Sequence, residues 1–209
     1  MDHSKQAAGI FDKLAELYQS KFMDVSAYQQ ELNNFLDQLP LSSPSILEIA
    51  CGPGNITRYV IGKRPDLQIL GIDLAPGMIA LAKKNCPGAE FKVMDCRDIH
   101  TLEQKFDGII VGFCLPYLSL KETTTLIGSI SRLLNNKGVL YLSLIEDDQK
   151  NSGFRKGSTG DEVFMNYYLA GDIVPIFKKN QLEIVSQTSF AAVHNNQTEN
   201  ELQFICIKQ

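Results

Sequence analysis

The sequence has no Cys-x-x-Cys pair, although it contains five cysteines, at positions 51, 86, 96, 114 and 206. An odd number of thiols, most of them inside apolar runs, fits buried reduced side chains in a cytosolic protein better than a disulfide framework or a zinc site. Basic charge is not in excess: 20 Lys and Arg against 24 Asp and Glu give a net charge of -4. The chain therefore has no general attraction to nucleic acid or to anionic membranes, and only a local basic patch would reopen either. Long apolar runs are missing too. The longest, Gly108 to Leu120, is too short to span a bilayer and contains Pro116. The opening "MDHSKQAAGIFDKLAELY" has early charges and no apolar h-region, so no signal peptide is expected and the chain reads as cytoplasmic. No internal repeat or domain-scale linker is visible. The 209 residues, 44% of them hydrophobic, suffice for one domain with its own core.

What is present is an alternation of short β-rich runs with helical segments. "SILEIA" (45–50), "LQILGID" (67–73), "AEFKVMD" (89–95), "FDGIIVGF" (106–113) and "GVLYLSLI" (138–145) are near-continuous apolar runs, as parallel strands covered on both faces should be. Helices are expected in "NITRYVIGKR", in "PGMIALAKKN" with Pro76 in its first turn, and from Ser119 to Asn136. Ser119 and Glu122 have capping-box spacing. The series is βαβ, hence an α/β doubly wound, mostly parallel sheet with right-handed crossovers. Residues 6–22 and 26–39 read as two amphipathic helices, so that 1–40 forms a helical cap before the core of 41–145. Residues 146–162 are polar, glycine-containing and expected to be mobile, within a lid of 146–172. Residues 173–209 read as a helix and two strands, "LEIVSQTSFAAV" and "ELQFICIK", joined by the turn-rich "HNNQTEN" into a hairpin.

The stretch "ILEIACGPGN" carries the first chemical signal. A strand followed by a glycine turn and a helix start brings backbone amides close to a ligand. The dinucleotide fingerprint G-x-G-x-x-G/A is incomplete here, because Thr57 takes the third slot after Gly52 and Gly54. Glu48 adds negative charge where a pyrophosphate would sit. That charge suits a cofactor carrying an ammonium and a sulfonium. Asp73 ends the second strand about twenty residues on, placed to accept from ribose hydroxyls, and Asp95 ends the third, placed for an adenine amino group. Asp73 could also cap the helix after it, and Asp95 the loop that follows.

Together, "LEIACGPGN", "LGIDLAPGMIALAKK", "FKVMDCRDI", "FDGIIVGFCLPYL" and "LLNNKGVLYLSL" resemble the ordered motifs of the class I S-adenosylmethionine-dependent methyltransferases, most closely the small-molecule type with an N-terminal helical cap. The resemblance covers residues 40–145, and "FDKLAELYQSKF" is similar to the opening of that subgroup. It implies a seven-stranded sheet of order 3-2-1-4-5-7-6 with strand 7 antiparallel. It further implies that Glu48, Gly52 and Gly54 hold the methionine moiety and Asp73 the ribose, while Leu74 and Met78 pack on the adenine. Asp95 by side chain and Cys96 by backbone would flank the adenine edge. Gly112 and Phe113 would line the floor near the methyl group, and Tyr18 and Lys21 would close over the methionine end.

The acceptor is less legible. Tyr117, Tyr167 and Tyr168 fall on loops at the carboxyl edge of the sheet and are candidates to face it, as is Arg155 for a substrate carboxylate; lid packing without a catalytic proton accounts for the tyrosines better, and a mobile charged loop for Arg155. Glu146, Asp147 and Asp148 read as a solvated acidic loop, with no metal site. His3 is expected to be disordered, and His100 and His194 solvated. "GFCLPY" differs from the [NDS]-P-P-[YFW] loop of the amino-methylating nucleic-acid enzymes, and with the acidic pI this points to an O, N or C nucleophile on a small molecule. Two other readings stay open. One is a nicotinamide-dependent oxidoreductase, which Thr57, Glu48 and the hairpin disfavour; the other is a cofactor-binding partner subunit without catalytic activity.

Overall fold

The computed structural model describes residues 2–194 and 197–209. Its main sheet has seven strands, β1 (Ser45–Ile49), β2 (Gln68–Asp73), β3 (Glu90–Val93), β4 (Phe106–Gly112), β5 (Leu134–Glu146), β8 (Leu182–His194) and β9 (Gln197–Lys208). They lie in the order β3-β2-β1-β4-β5-β9-β8. The first five are parallel, and β9 runs antiparallel to both β5 and β8. Two further strands, β6 (Gly153–Lys156) and β7 (Glu162–Met165), pair with each other alone. Setting that hairpin aside, the order is the expected one.

Helices cover both faces: α1 (His3–Lys13), α2 (Ala15–Phe22), α3 (Gln29–Asp37), α4 (Asn55–Lys63), α5 (Pro76–Asn85), α6 (Leu120–Leu133) and α7 (Ala170–Lys179). On one face α6 and α7 pack through Ile127, Ile130 and Phe177 against Leu140 and Phe204 of the sheet. On the other, Phe35 and Leu36 of α3 and Val60 of α4 meet Ile46, Ile110 and Tyr141. Phe35 is fully buried, and a Cβ at Gly108 would lie 2.7 Å from its ring tip. β4 therefore needs glycine where the ring crosses it. Truncating Phe35→Ala is expected to cost about 3–5 kcal/mol, read as a shift of the urea midpoint with an unchanged m-value.

Several expectations change. The single helix over 6–22 is broken at Leu14, whose backbone leaves the helical region (φ -105°, ψ 14°). The expected helix over 26–39 is a 3-10 turn at Ser26–Tyr28 followed by α3. Helix α6 has its capping box but stops at Leu133, and Asn135 and Asn136 already belong to β5. The turn there is tight enough that a Cβ at Gly138 would meet the Asn135 carbonyl at 2.9 Å. Finally, the polar segment 146–162 is largely ordered in the β6–β7 hairpin, because α1 and α2 hold it. His3 stacks on Phe164 at 4.4 Å, Lys13 pairs with Asp161 at 3.1 Å, and Lys21 Nζ donates to Ser158 at 2.9 Å. His3 is thus part of α1, not a disordered end. The closing hairpin is longer than expected, its ladder running to His194 and Gln197; the His194 side chain lies outside the described residues.

Candidate active site

The carboxyl ends of β1 to β4 open into one cavity, with about 790 Å³ of empty space including its mouth, in the range of small-molecule sites. Glycine makes its floor. Gly52 follows Cys51 with φ +53°, and its N–H donates to Asp73 Oδ2 at 2.9 Å. A side chain at Gly52 would be strained and would enter the cavity beside Tyr18. Asp73 Oδ1 accepts from the Ala75 N–H at 2.9 Å, so this carboxylate both ties the glycine loop to β2 and closes the turn before α5. Burial raises the Asp73 carboxyl above the ordinary range, against the backbone hydrogen bonds that favour its ionised form.

Next along the cavity, Leu74, Met78 and Met94 make an apolar slot. Asp95 closes that end. It caps the 3-10 turn Cys96–Thr101 through the Arg97 N–H and pairs with the Arg97 guanidinium at 2.7 Å. Arg97 also meets Asp2 of the cap and Glu122 of α6, each at 2.9 Å. One guanidinium thus latches the N-terminus over the slot. These pairs are partly solvated and contribute about 0.5–1 kcal/mol each. Arg97→Gln is expected to speed amide exchange over residues 3–13 and to lower stability by about 2 kcal/mol; equal exchange rates in both proteins would remove the latch.

Gly112, the last residue of β4, and Phe113 after it also line the cavity. A Cβ at Gly112 would lie 2.8 Å from Ile56 Cδ1. Phe113 has φ +50°, a left-handed conformation held because its N–H donates to the Ser143 carbonyl at 3.1 Å. Helix α1 roofs the cavity with Ala7, Ala8 and Phe11, and the Ser4 hydroxyl donates to the Tyr117 carbonyl at 2.6 Å. Phe11 packs edge-on against Tyr18 and Tyr117, 5.8 and 5.2 Å between centroids. The Tyr18 phenol is pushed up to about 12, first by burial and then by the Asp73 charge. Burial likewise raises the Tyr117 phenol, with Tyr18 nearby adding to it. Both are hydrogen-bond donors at neutral pH.

Residues 46–138 match a family model described as a methyltransferase domain. The matched segment is under half of the chain, and that segment is similar to a methyltransferase domain. Trans-aconitate 2-methyltransferase of Methylobacterium nodulans is 35% identical over 120 residues, which is 57% of this chain and 45% of that protein. The chain spans about half the length of the curated relatives it matches. Among solved structures, magnesium protoporphyrin IX methyltransferase (ChlM) from Synechocystis PCC 6803 with bound SAM superposes with a TM-score of 0.71 at 15% identity, covering 100% of this chain and 98% of that one. The [4+2]-cyclase SpnF reaches 0.76, also at 15% identity, covering 98% and 96%. At these identities the superpositions show a shared fold.

Of the residues singled out in the sequence, Tyr18, Gly52, Asp73, Leu74, Met78, Asp95, Cys96, Gly112, Phe113 and Tyr117 all line the cavity. Six other sequence candidates do not. Glu48 is buried beneath the glycine loop, where Thr57 Oγ1 donates to its carboxylate. Burial pushes its carboxyl up to about 8, so near neutral pH it is largely uncharged and the electrostatic argument made for it changes. Gly54 faces α5, where a Cβ would meet Cys86 Sγ at 3.3 Å, and is a packing glycine. Lys21 is committed to Ser158. Arg155 donates to the Tyr167 hydroxyl at 3.1 Å and to the Asn151 carbonyl at 2.9 Å, so it belongs to the hairpin. Tyr168 is core, its hydroxyl donating to the Leu118 carbonyl. Tyr167, the sixth, is buried and its hydroxyl accepts from Arg155; Glu146, expected in a solvated acidic loop, accepts from the Ala170 N–H and the Asn200 amide.

The sequence reading missed the α1 roof. The small pair Ala7-Ala8 one turn before Phe11 was its only local signal. It also missed Ala50, Met94 and Cys114, whose Sγ lies 3.8 Å from that of Cys96. Among the described residues no helix is long and apolar enough to cross a membrane, and no group of three His, Cys, Asp or Glu could hold a metal ion.

Proposed function

We propose that this protein transfers the methyl group of S-adenosylmethionine to a nucleophile on a small molecule. The observation that carries the reading is the set of groups lining one cavity: bare glycine backbone, two half-buried phenols, a β2-end carboxylate, an apolar slot and a second carboxylate. The donor set fits the cofactor. Asp73 would take the ribose hydroxyls, Leu74, Met78 and Met94 the adenine faces, and Asp95 with Cys96 its edge. Gly52 and Tyr18 would stand at the methionine end, where any side chain at position 52 would fill the cradle. When bound, the cofactor supplies an electrophilic methyl group.

The protein's own contribution is alignment and exclusion of water. Helix α1 roofs the cavity with the β6–β7 hairpin packed on its outer side through His3 and Phe164, and Phe113, fixed by its strained backbone, would set the floor on which an acceptor rests. No histidine lines the cavity among the described residues, and the Tyr117 phenol holds its proton, so Tyr117 orients an acceptor by donating a hydrogen bond. The described lining holds two carboxylates and no lysine or arginine. An anionic acceptor such as the one in the Methylobacterium nodulans enzyme's name therefore has no counter-charge there.

Incubation with methyl-labelled S-adenosylmethionine and a metabolite extract tests the proposal. A labelled small-molecule product is expected. Persistent absence of product despite saturable cofactor binding would instead favour a cofactor-binding subunit without methyl transfer.

A further inference from the structure

Two cysteines line the cavity, and the cofactor reading uses neither of their sulfurs. Cys96 begins the 3-10 turn Cys96–Thr101 that follows β3. Cys114 stands between Phe113 and the 3-10 turn Leu115–Tyr117 that follows β4. The two are far apart in sequence, yet Cys114 Sγ donates to Cys96 Sγ at 3.8 Å. Cys114 is 4% exposed, whereas Cys96 is half-buried. The hydrogen bond to Cys96, and then burial, raises the Cys114 thiol well above its ordinary value, so it keeps its proton at neutral pH. The remaining three cysteines are buried, and two of them are engaged with backbone. Cys51 Sγ donates to the Gly52 carbonyl at 3.7 Å and Cys86 Sγ to the Gly54 carbonyl at 3.5 Å.

A disulfide holds its sulfurs about 2.05 Å apart, so each sulfur here has to move by about an ångström. Neither residue belongs to a strand, and a shift of that size leaves the sheet ladder intact. We propose that Cys96 and Cys114 are a site of reversible oxidative modification, joined by a peroxide into a disulfide in the cavity wall that weakens cofactor binding. Cys96, the more exposed sulfur, reacts first. Its thiolate attacks one peroxide oxygen, the O–O bond breaks, and the leaving hydroxide takes up a proton as water. Cys96 is left as a sulfenic acid. The Cys114 sulfur then attacks the Cys96 sulfur and forms the S–S bond, and its proton leaves with the displaced hydroxide as a second water. Two thiols are oxidised and one peroxide is reduced. A dithiol reverses the change by exchange. The bond draws the turn carrying Asp95 and Cys96 toward Phe113, and so reshapes the wall where the adenine edge is expected. The effect on the cofactor rests on the methyltransferase reading; the disulfide does not.

The test treats the reduced full chain with hydrogen peroxide, removes the excess with catalase, and counts free thiols after denaturation. The five thiols are expected to fall by two, with peptide masses showing a link between Cys96 and Cys114, and dithiothreitol is expected to restore all five. Calorimetry should then show S-adenosylhomocysteine binding about tenfold more weakly to the oxidised chain than to the reduced one, within the usual range of coupling between two events. In Cys96→Ser, peroxide is expected to leave the affinity where it stood before treatment. If that variant does not fold, Cys114→Ala replaces it; there dimedone should trap Cys96 as its sulfenic acid, with no link formed. An unchanged thiol count, a link between other cysteines, or no dimedone adduct in Cys114→Ala would overturn the modification site. A Cys96–Cys114 link that leaves the affinity unchanged, or an equal loss of affinity in treated Cys96→Ser, would overturn its effect on the cofactor. If S-adenosylhomocysteine fails to bind even the reduced wild-type chain, the methyltransferase reading falls and that effect with it, while thiol count and peptide masses still decide the disulfide.

Discussion

Replacing Asp73 with alanine is expected to weaken S-adenosylhomocysteine binding by at least about a hundredfold, since two hydroxyl donors to a carboxylate are each worth about 1.5–3 kcal/mol. The structure adds a second consequence. Asp73 also accepts the N–H groups of Gly52 and Ala75, so the same variant leaves two turn amides without their acceptor. A loss of stability of about 2 kcal/mol should accompany the loss of affinity. Asp73→Asn keeps one acceptor oxygen and is expected to fall between the two. Calorimetry reads the affinity and urea unfolding the stability. Unchanged affinity in Asp73→Ala would reject the ribose assignment, whatever the stability does.

The second large effect concerns Glu48 and pH. Its carboxyl titrates at about 8 in the folded chain against 4.5 ordinarily, chiefly through burial, with the Asp73 charge adding to the rise and the Thr57 hydrogen bond opposing it. Between those two values the folded side chain holds a proton that the unfolded one has released. Folding then takes up a proton, and this group's contribution to stability falls as pH rises through the window, by about 1.4 kcal/mol per pH unit. Glu48→Gln removes the titration while keeping an oxygen to accept from Thr57. The wild-type chain is therefore expected to lose several kcal/mol relative to the variant between pH 5 and pH 8. Denaturant midpoints at three pH values in both proteins measure it, and parallel curves would contradict the buried, protonated state.

These two residues also show what could be read in the chain alone. Asp73 was legible because a strand-end carboxylate about twenty residues after a glycine turn is a local pattern set by the βαβ unit. Glu48 was located correctly in its strand, but its burial was not. Alternation cannot tell a cavity-facing strand residue from one sealed under the following loop by a threonine nine residues on. The parallel sheet and closing hairpin followed from apolar runs and turn residues. The β6–β7 hairpin did not, because its strands are only four residues long and owe their order to the cap: Lys13, Lys21 and His3 lie more than a hundred residues away from their partners. Arg97 is a similar case. Its neighbour Asp95 is two residues away, but Asp2 and Glu122 come from the far cap and the α6 start, and only tertiary structure joins them.

The central claim is that the cavity at the ends of β1 to β4 is a cradle for S-adenosylmethionine. Parallel calorimetric titrations of the wild-type chain with S-adenosylhomocysteine and with NADH test it most directly. Saturable binding of the first at one site, with no heat from the second, is the predicted result. Binding of NADH without binding of S-adenosylhomocysteine would contradict it.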